Sequence, residues 1–269
     1  MLRQNKKIFL IGYKSFIQTH LFNHLKKKFI VHKINFKDIN KKKITSCDVI
    51  INLSNSKKFY EQKYNKKHDR NLKIANIIKN NNIKFYLLST RLVYAQELYL
   101  TEKSKLKPLD LYAKNCLSSE KNCKNVLKKN LVVLRLANIF GYEIGKKKKL
   151  SLVSLIYQSI KKGKINFDNN FYLLKDFLPI KFLCIYIEKI ISLKNINIIN
   201  IGSGIPVLVK DFVYTIIDSK KIKVKLKLKK KFNDKSYCFD VKRINRLTGI
   251  KITKKELNKS FLNLKKKLI

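Results

Sequence analysis

The chain has 269 residues, of which 45% are hydrophobic, enough for a substantial core and too many for a disordered segment. Its 62 basic against 17 acidic residues give a formal charge of +45, and no apolar run approaches the roughly 20 residues that cross a bilayer. The five cysteines form no CxxC pair, which argues against both a disulfide framework and a zinc site.

Such a charge raises nucleic acid as a partner. Arginine, the usual reader of phosphates and guanine edges, occurs only at positions 3, 70, 91, 135, 243 and 246. The remaining basic charge is lysine spread over every segment beside abundant Asn and Ile, the residues that AT-rich codons encode. No specific nucleic acid partner is therefore expected, and no membrane insertion. The N-terminal apolar run is too short for a signal peptide, so the expected location is cytoplasmic.

In chain order, Ile8 to Ile11 form an apolar run that ends in Gly12, followed by a helical period through Phe16, Ile17, Leu21 and Leu25. That reads as a buried strand, a tight turn and an amphipathic helix. This unit aims the unpaired N–H groups of the helix at an anion lying over the turn. In dinucleotide-binding folds the anion is a pyrophosphate and three glycines let the backbone approach it. Here Gly12 takes the first glycine position, and Ser15 and Gln18 take the other two. His20 and His24 stand four apart on the same helix, but no carboxylate or cysteine accompanies them, so no metal is expected.

Phe29 to Phe36 is predicted as a second strand, and Asp48 to Leu53 as a third, apolar enough to be buried on both faces. Asn71 to Asn80 is predicted helical with Leu72, Ala75 and Ile78 inward. Lys84 to Ser89 is a strand ending in Thr90, Tyr112 to Leu127 a helix, and Leu131 to Leu136 another buried strand. Strands alternating with helices predict an α/β fold with a doubly wound parallel sheet, whose ligands sit at the carboxyl ends of the strands. Past Gly141 the pattern loosens. A helix from the lysines at 146–149 to Ile160, a helix over Ile187–Leu193 and a strand over Ile196–Ile201 are expected. A Gly-Ser-Gly turn at 202–204, a helix over Val209–Asp218 and a half-buried strand within 221–232 follow. Residues 1–140 are read as the dinucleotide-binding domain and 141–269 as a smaller substrate-binding α/β region interwoven with it.

These pieces resemble the extended short-chain dehydrogenase/reductases, specifically the NAD-dependent epimerase/dehydratase family acting on nucleotide sugars. IFLIGYKSFIQTHL (8–21) is similar to the family's first glycine turn, and DVIINLSN (48–55) to its third strand. STRLVY (89–94) resembles SSxxVY, and Tyr112-Ala-Lys-Asn-Cys116, with Glu120 beyond it, resembles YxxxK and its downstream glutamate. Arg135 to Gly141 resembles RxxNxxG, Lys175-Asp176-Phe177 the RDF segment, NIGSG (200–204) the NVGSG turn, and Asp240 to Gly249 the terminal helix.

The resemblance implies a Rossmann-like fold, NAD or NADP as cofactor, a nucleotide-sugar substrate in surface-polysaccharide metabolism, and a homodimer. It implies catalytic roles for Tyr112 as acid/base and Thr90 as the hydroxyl that orients the reacting oxygen. It places the cofactor against Gly12, Ser15, Phe16, Ile17, Asn35, Asp38, Leu53 and Ser54, and the substrate near Asn138 and Arg243. A phenol titrates near ~10 and needs a cation beside it to act as a base near neutrality. The family's lysine provides that cation, and its position here is Cys116. Lys114 lies about 200° around the helix from Tyr112 and cannot simply substitute. A neutral thiol leaves the phenol's pKa high and a thiolate raises it further.

At the end of the second strand Asn35 stands where an acidic residue would favour NAD, and Lys33 and Lys37 nearby leave NADP open. Two other readings stay open from the residues alone. One is a catalytically impaired member that still binds a dinucleotide or sugar nucleotide. The other is a basic nucleic-acid-binding protein.

Overall fold

A computed structural model of the chain describes residues 5–13, 15–142, 156, 158, 162–217, 223–227 and 235–268. The first unit is β1 (Lys7–Ile11), α1 (Phe16–Leu25) and β2 (Ile30–Ile34). Next come α2 (Lys41–Ile44), β3 (Val49–Asn52), α3 (Lys57–Glu61), α4 (Arg70–Ile78) and β4 (Lys84–Thr90). The short strand β5 (Tyr99–Leu100) precedes α5 (Leu111–Leu127), β6 (Leu131–Leu136) and β7 (Asn138–Phe140).

β1, β2, β3, β4 and β6 join β10 (Ile198–Ile201) in one parallel sheet of order β10-β6-β4-β3-β1-β2. The continuous apolar runs have a simple cause: both faces of this sheet are buried, and successive residues serve opposite cores. Ile8 and Leu10 of β1, Val49 and Ile51 of β3, and Val132 and Leu134 of β6 enter one core. Phe9, Ile11, Ile50, Leu131 and Val133 enter the other, together with Leu72, Ala75 and Ile78 of α4 and Cys123 of α5. The expected doubly wound α/β fold is therefore present.

The later chain adds β8 (Lys164–Phe167) and β9 (Leu174–Pro179), with a helix over Ile180–Ile191. β11 (Pro206–Leu208), β12 (Lys223–Leu226) and β13 (Cys238–Phe239) complete the strands. β9 lies between β11 and β7 in a three-stranded sheet. Asp176 of β9 is fully buried and accepts hydrogen bonds from the Ser203 backbone (2.8 Å), the Ser203 hydroxyl (2.7 Å), and the backbone N–H groups of Gly204 (3.1 Å) and Phe239 (3.2 Å). One carboxylate thus ties together three segments distant in sequence. Gly202 permits that approach, since a Cβ there would meet Asp176 Oδ2 at 2.3 Å. Gly204 has φ +70° and faces Val241, so it needs glycine on both counts.

Several expectations are corrected in extent. The helix expected at Ile187–Leu193 starts at Ile180 immediately after Pro179, because Ile180, Leu183, Cys184, Ile187, Ile190 and Ile191 form one buried stripe. The second strand is shorter than Phe29–Phe36, and Phe36 belongs to a 3₁₀ turn, Phe36–Asp38. The strand within 221–232 pairs with β8 away from the main sheet, and of its described residues only Val224 is half-buried. The helix from 146–149 to Ile160 lies outside the described residues except for positions 156 and 158, which are helical. Asp218 and positions 221–222 and 228–232 also lie outside them.

Candidate active site

The carboxyl ends of β1, β3, β4 and β6 surround a cavity of about 300 Å³. Ser15, Phe16 and Ile17, where α1 begins, form one end; Leu53 and Ser54 after β3 flank it; Tyr112, in the first turn of α5, forms the other end. These six are residues expected at the site, brought together by strand order.

The two departures from the glycine pattern hold the first turn together. The Ser15 hydroxyl accepts from the Gln18 N–H at 3.2 Å and caps α1. The buried Gln18 carboxamide donates to the carbonyls of Leu10 (3.2 Å) and Gly12 (3.0 Å). The turn is thus secured by an amide that spans strand and helix. On the floor, Asn52 donates to Asn71 (2.7 Å) and Asn71 to the Ser119 hydroxyl (3.2 Å), linking β3, α4 and α5.

Behind the tyrosine, Glu120 and Arg135 form a buried pair, with guanidinium–carboxylate bonds of 3.2 Å and 2.6 Å, and the Ser89 hydroxyl donates to the same carboxylate. Arg135 is a structural partner of α5. Glu120→Ala would leave its charge buried and unpaired, so it should destabilise the protein by about 3–5 kcal/mol. Urea unfolding measures this, and the double variant Glu120→Ala/Arg135→Met should recover much of the loss.

Cys116 follows Tyr112 by one helical turn of α5, so its thiol neighbours the phenol. Burial, then the neighbouring Cys116 and Tyr60, push the phenol's pKa well above its ordinary value. Burial likewise pushes the Cys116 thiol up to about 12, so it is neutral at physiological pH. Tyr60 of α3 stacks on the Tyr112 ring, with centroids 5.1 Å apart and planes at 17°. The Asn115 amide fixes that stack by donating to the carbonyls of Phe59 (2.8 Å) and Gln62 (2.7 Å).

A family model described as the NAD dependent epimerase/dehydratase family matches residues 3–180. The chain belongs to the NAD-dependent epimerase/dehydratase family. No curated protein sequence matches it significantly. Solved structures that this family member resembles include UDP-N-acetylglucosamine 4-epimerase from Methanobrevibacter ruminantium M1, bound to UDP-N-acetylmuramic acid, at TM-score 0.84, 18% identity and 98% coverage of both chains. An NAD dependent NDP-hexosamine 5,6-dehydratase involved in tunicamycin biosynthesis matches at TM-score 0.83 and 16% identity, over 97% of each chain. RMD from Pseudomonas aeruginosa, complexed with NADPH, matches at 0.75 and 16%, over 98% of this chain and 100% of that one. At such identities the likeness is one of fold.

Other expected residues of this family member lie outside the cavity lining. Thr90 ends β4 next to Ser89, which does line the cavity, and its hydroxyl accepts from the Leu92 N–H at 3.2 Å. Asn138 opens β7 opposite Phe177. Gly12 sits beneath the turn, bonded through its N–H to the Ile34 carbonyl at 2.9 Å. Asn35 caps the 3₁₀ turn through the Lys37 N–H (3.2 Å), and Asp38 is exposed at its end. Arg243 does not line this cavity; it donates to the Ile198 carbonyl at 2.5 Å and faces Glu102 at 3.8 Å. His24 pairs with Glu188 at 2.6 Å and His20 contacts the Tyr142 carbonyl at 3.1 Å, so each histidine is separately engaged.

Sequence reading missed Tyr60, Asn55 and Asn115. Nothing in the spacing of SNSKKFYEQ distinguishes a tyrosine aimed at the cavity from one aimed at solvent. Among the described residues, no helix is long and apolar enough to cross a membrane.

Proposed function

We propose that this family member is an NAD(P)-dependent enzyme that epimerises, dehydrates or reduces a nucleotide sugar, with a role in surface-polysaccharide sugar metabolism. The observation that carries the reading is one cavity with the start of α1 at one end and the Tyr112 helix at the other. The residues present fit a dinucleotide. The Ser15–Ile17 end suits a pyrophosphate, and Asn55, bordering the cavity, has a buried side-chain oxygen with no hydrogen-bond partner among the described residues. Leu53 and Ser54 would flank the cofactor, and Asn35 and Asp38 would lie toward its adenosine end.

When bound, the nicotinamide supplies a hydride acceptor or donor. Tyr112 would move the sugar hydroxyl proton at its phenolic oxygen, and the Thr90 hydroxyl would orient the reacting oxygen. Asn138 would help to position the sugar nucleotide. The bond to the Ile198 carbonyl favours a supporting place for Arg243 beside β10. Membership of an enzyme family favours this reading over a nucleic-acid-binding one.

Calorimetric titration with NAD⁺, NADH, NADP⁺ and NADPH tests the reading. Saturable binding of one form at about one site per chain is expected, followed by conversion of a UDP- or dTDP-sugar in a chromatographic assay. A folded protein that binds none of the four would overturn it.

A further inference from the structure

We infer that this chain selects NADP(H) over NAD(H), and that Arg70 makes the selection by holding the adenosine 2′-phosphate. The inference rests on the dinucleotide reading above and assigns a specificity role to a residue outside the glycine turn.

In doubly wound folds the adenosine ribose lies at the carboxyl end of the second strand, where a carboxylate binds its two hydroxyls in NAD enzymes. That place holds Asn35, whose side-chain oxygen is engaged by the Lys37 N–H at 3.2 Å. The next residue, Phe36, carries the Arg70 guanidinium over its ring, 4.6 Å from the centroid. Arg70 opens α4, and its neighbour Asn71 lines the cavity. Arg70 therefore stands beside a cavity-lining residue with its guanidinium over an aromatic ring at the β2 end.

Asp69, adjacent to Arg70 in sequence, is fully buried and accepts from the Leu72 N–H (3.1 Å) and the Tyr64 hydroxyl (2.8 Å). Among the described residues no carboxylate forms an ion pair with Arg70. Burial lowers its pKa, as expected of a cation short of water and counter-ion, while Tyr60 offsets part of this. A ribose diol would leave this cation unsatisfied. A phosphate answers it with two parallel charge-assisted bonds, the geometry for which a planar fork is suited. Lysine charge nearby is less directed: Lys33 packs over Phe22 at 4.4 Å, and Lys37 is exposed.

Titrations at about 0.15 M salt, where long-range attraction by the basic surface is screened, test the assignment. NADPH should bind at least about tenfold tighter than NADH, a ratio worth ~1.4 kcal/mol. The fragment 2′,5′-ADP should likewise outbind 5′-AMP, which isolates the phosphate from the nicotinamide. Arg70→Gln should remove most of this preference while leaving NADH affinity unchanged, and Lys73→Gln, on the exposed side of α4, should preserve it. Equal binding of NADPH and NADH, or an equal loss of both in Arg70→Gln, would overturn the role of Arg70 but not the dinucleotide reading. Failure of all four cofactors to bind would overturn both. The wild-type ratios for the cofactors and for the fragments decide the preference even if the variant folds poorly.

Discussion

Cys116→Lys should raise turnover by about ten- to a hundredfold near pH 8 and move the pH–rate profile toward lower pH. General acid–base catalysis contributes on the order of 10²–10⁴ when its group is correctly poised, and each unit of mismatch costs about tenfold in the reactive form. Tyr112 is mismatched upward. Burial, the adjacent Cys116, Tyr60 and Asp110 all disfavour its phenolate. A phenol with raised pKa ionises only at high pH, so the wild-type rate should climb with pH through the neutral range without a plateau. A lysine at position 116 would favour the phenolate and bring the plateau down.

A cation at a buried position also costs stability, so the melting temperature of Cys116→Lys should fall while its rate rises. Cys116→Ser replaces one neutral group by another and should leave the rate within about threefold. A folded Cys116→Lys protein with unchanged or lower turnover would refute the account, and the Tyr60 stack would then be the feature to examine. That stack fills the space over the Tyr112 face, with Tyr60 itself 49% exposed at the cavity mouth.

Asp176→Ala should destabilise the fold by about 3–5 kcal/mol, because it leaves several buried neutral donors without an acceptor. Burial pushes this carboxyl's pKa up, and the hydrogen bonds from Ser203, Phe239 and Gly204 oppose that rise. Removing the acceptor strands the Ser203 N–H, the Ser203 hydroxyl, and the Gly204 and Phe239 N–H groups together. Each buried unsatisfied donor costs about 1–3 kcal/mol before relaxation. Asp176→Asn retains one acceptor oxygen but presents an amide donor to donors, so it should lie between wild type and alanine. Urea unfolding at fixed pH measures all three proteins. A midpoint for Asp176→Ala within error of wild type would mean that β9, the 202–204 turn and β13 are held by packing alone.

The main sheet was legible because burial on both faces writes itself as unbroken apolar runs. Ile8–Ile11, Val49–Ile51 and Leu131–Leu136 needed no alternation to be recognised, since each residue finds a core on one side or the other. The peripheral strands were harder to read. Alternating Lys and apolar residues around β12 imitate a half-buried strand, yet among the described residues β12 pairs with β8 alone, away from the main sheet, and is mostly exposed. The start of the helix at Ile180 was obscured because its stripe follows directly from the apolar end of β9.

At the candidate site, residue type and spacing along one element marked the strand–turn–helix at Gly12 and the helix that carries Tyr112, while the family resemblance marked Cys116 as standing in the lysine position. The bonds of Gln18 to two carbonyls and the stacking of Tyr60 on Tyr112 emerge from the packing of elements against one another. The packing likewise sets the bond from Arg243 to the Ile198 carbonyl and the contact of Arg70 with Phe36. Those facts depend on which elements become neighbours and on where a long side chain ends. Helical and strand periodicities specify the face a residue occupies, but carry no information about the groups across it.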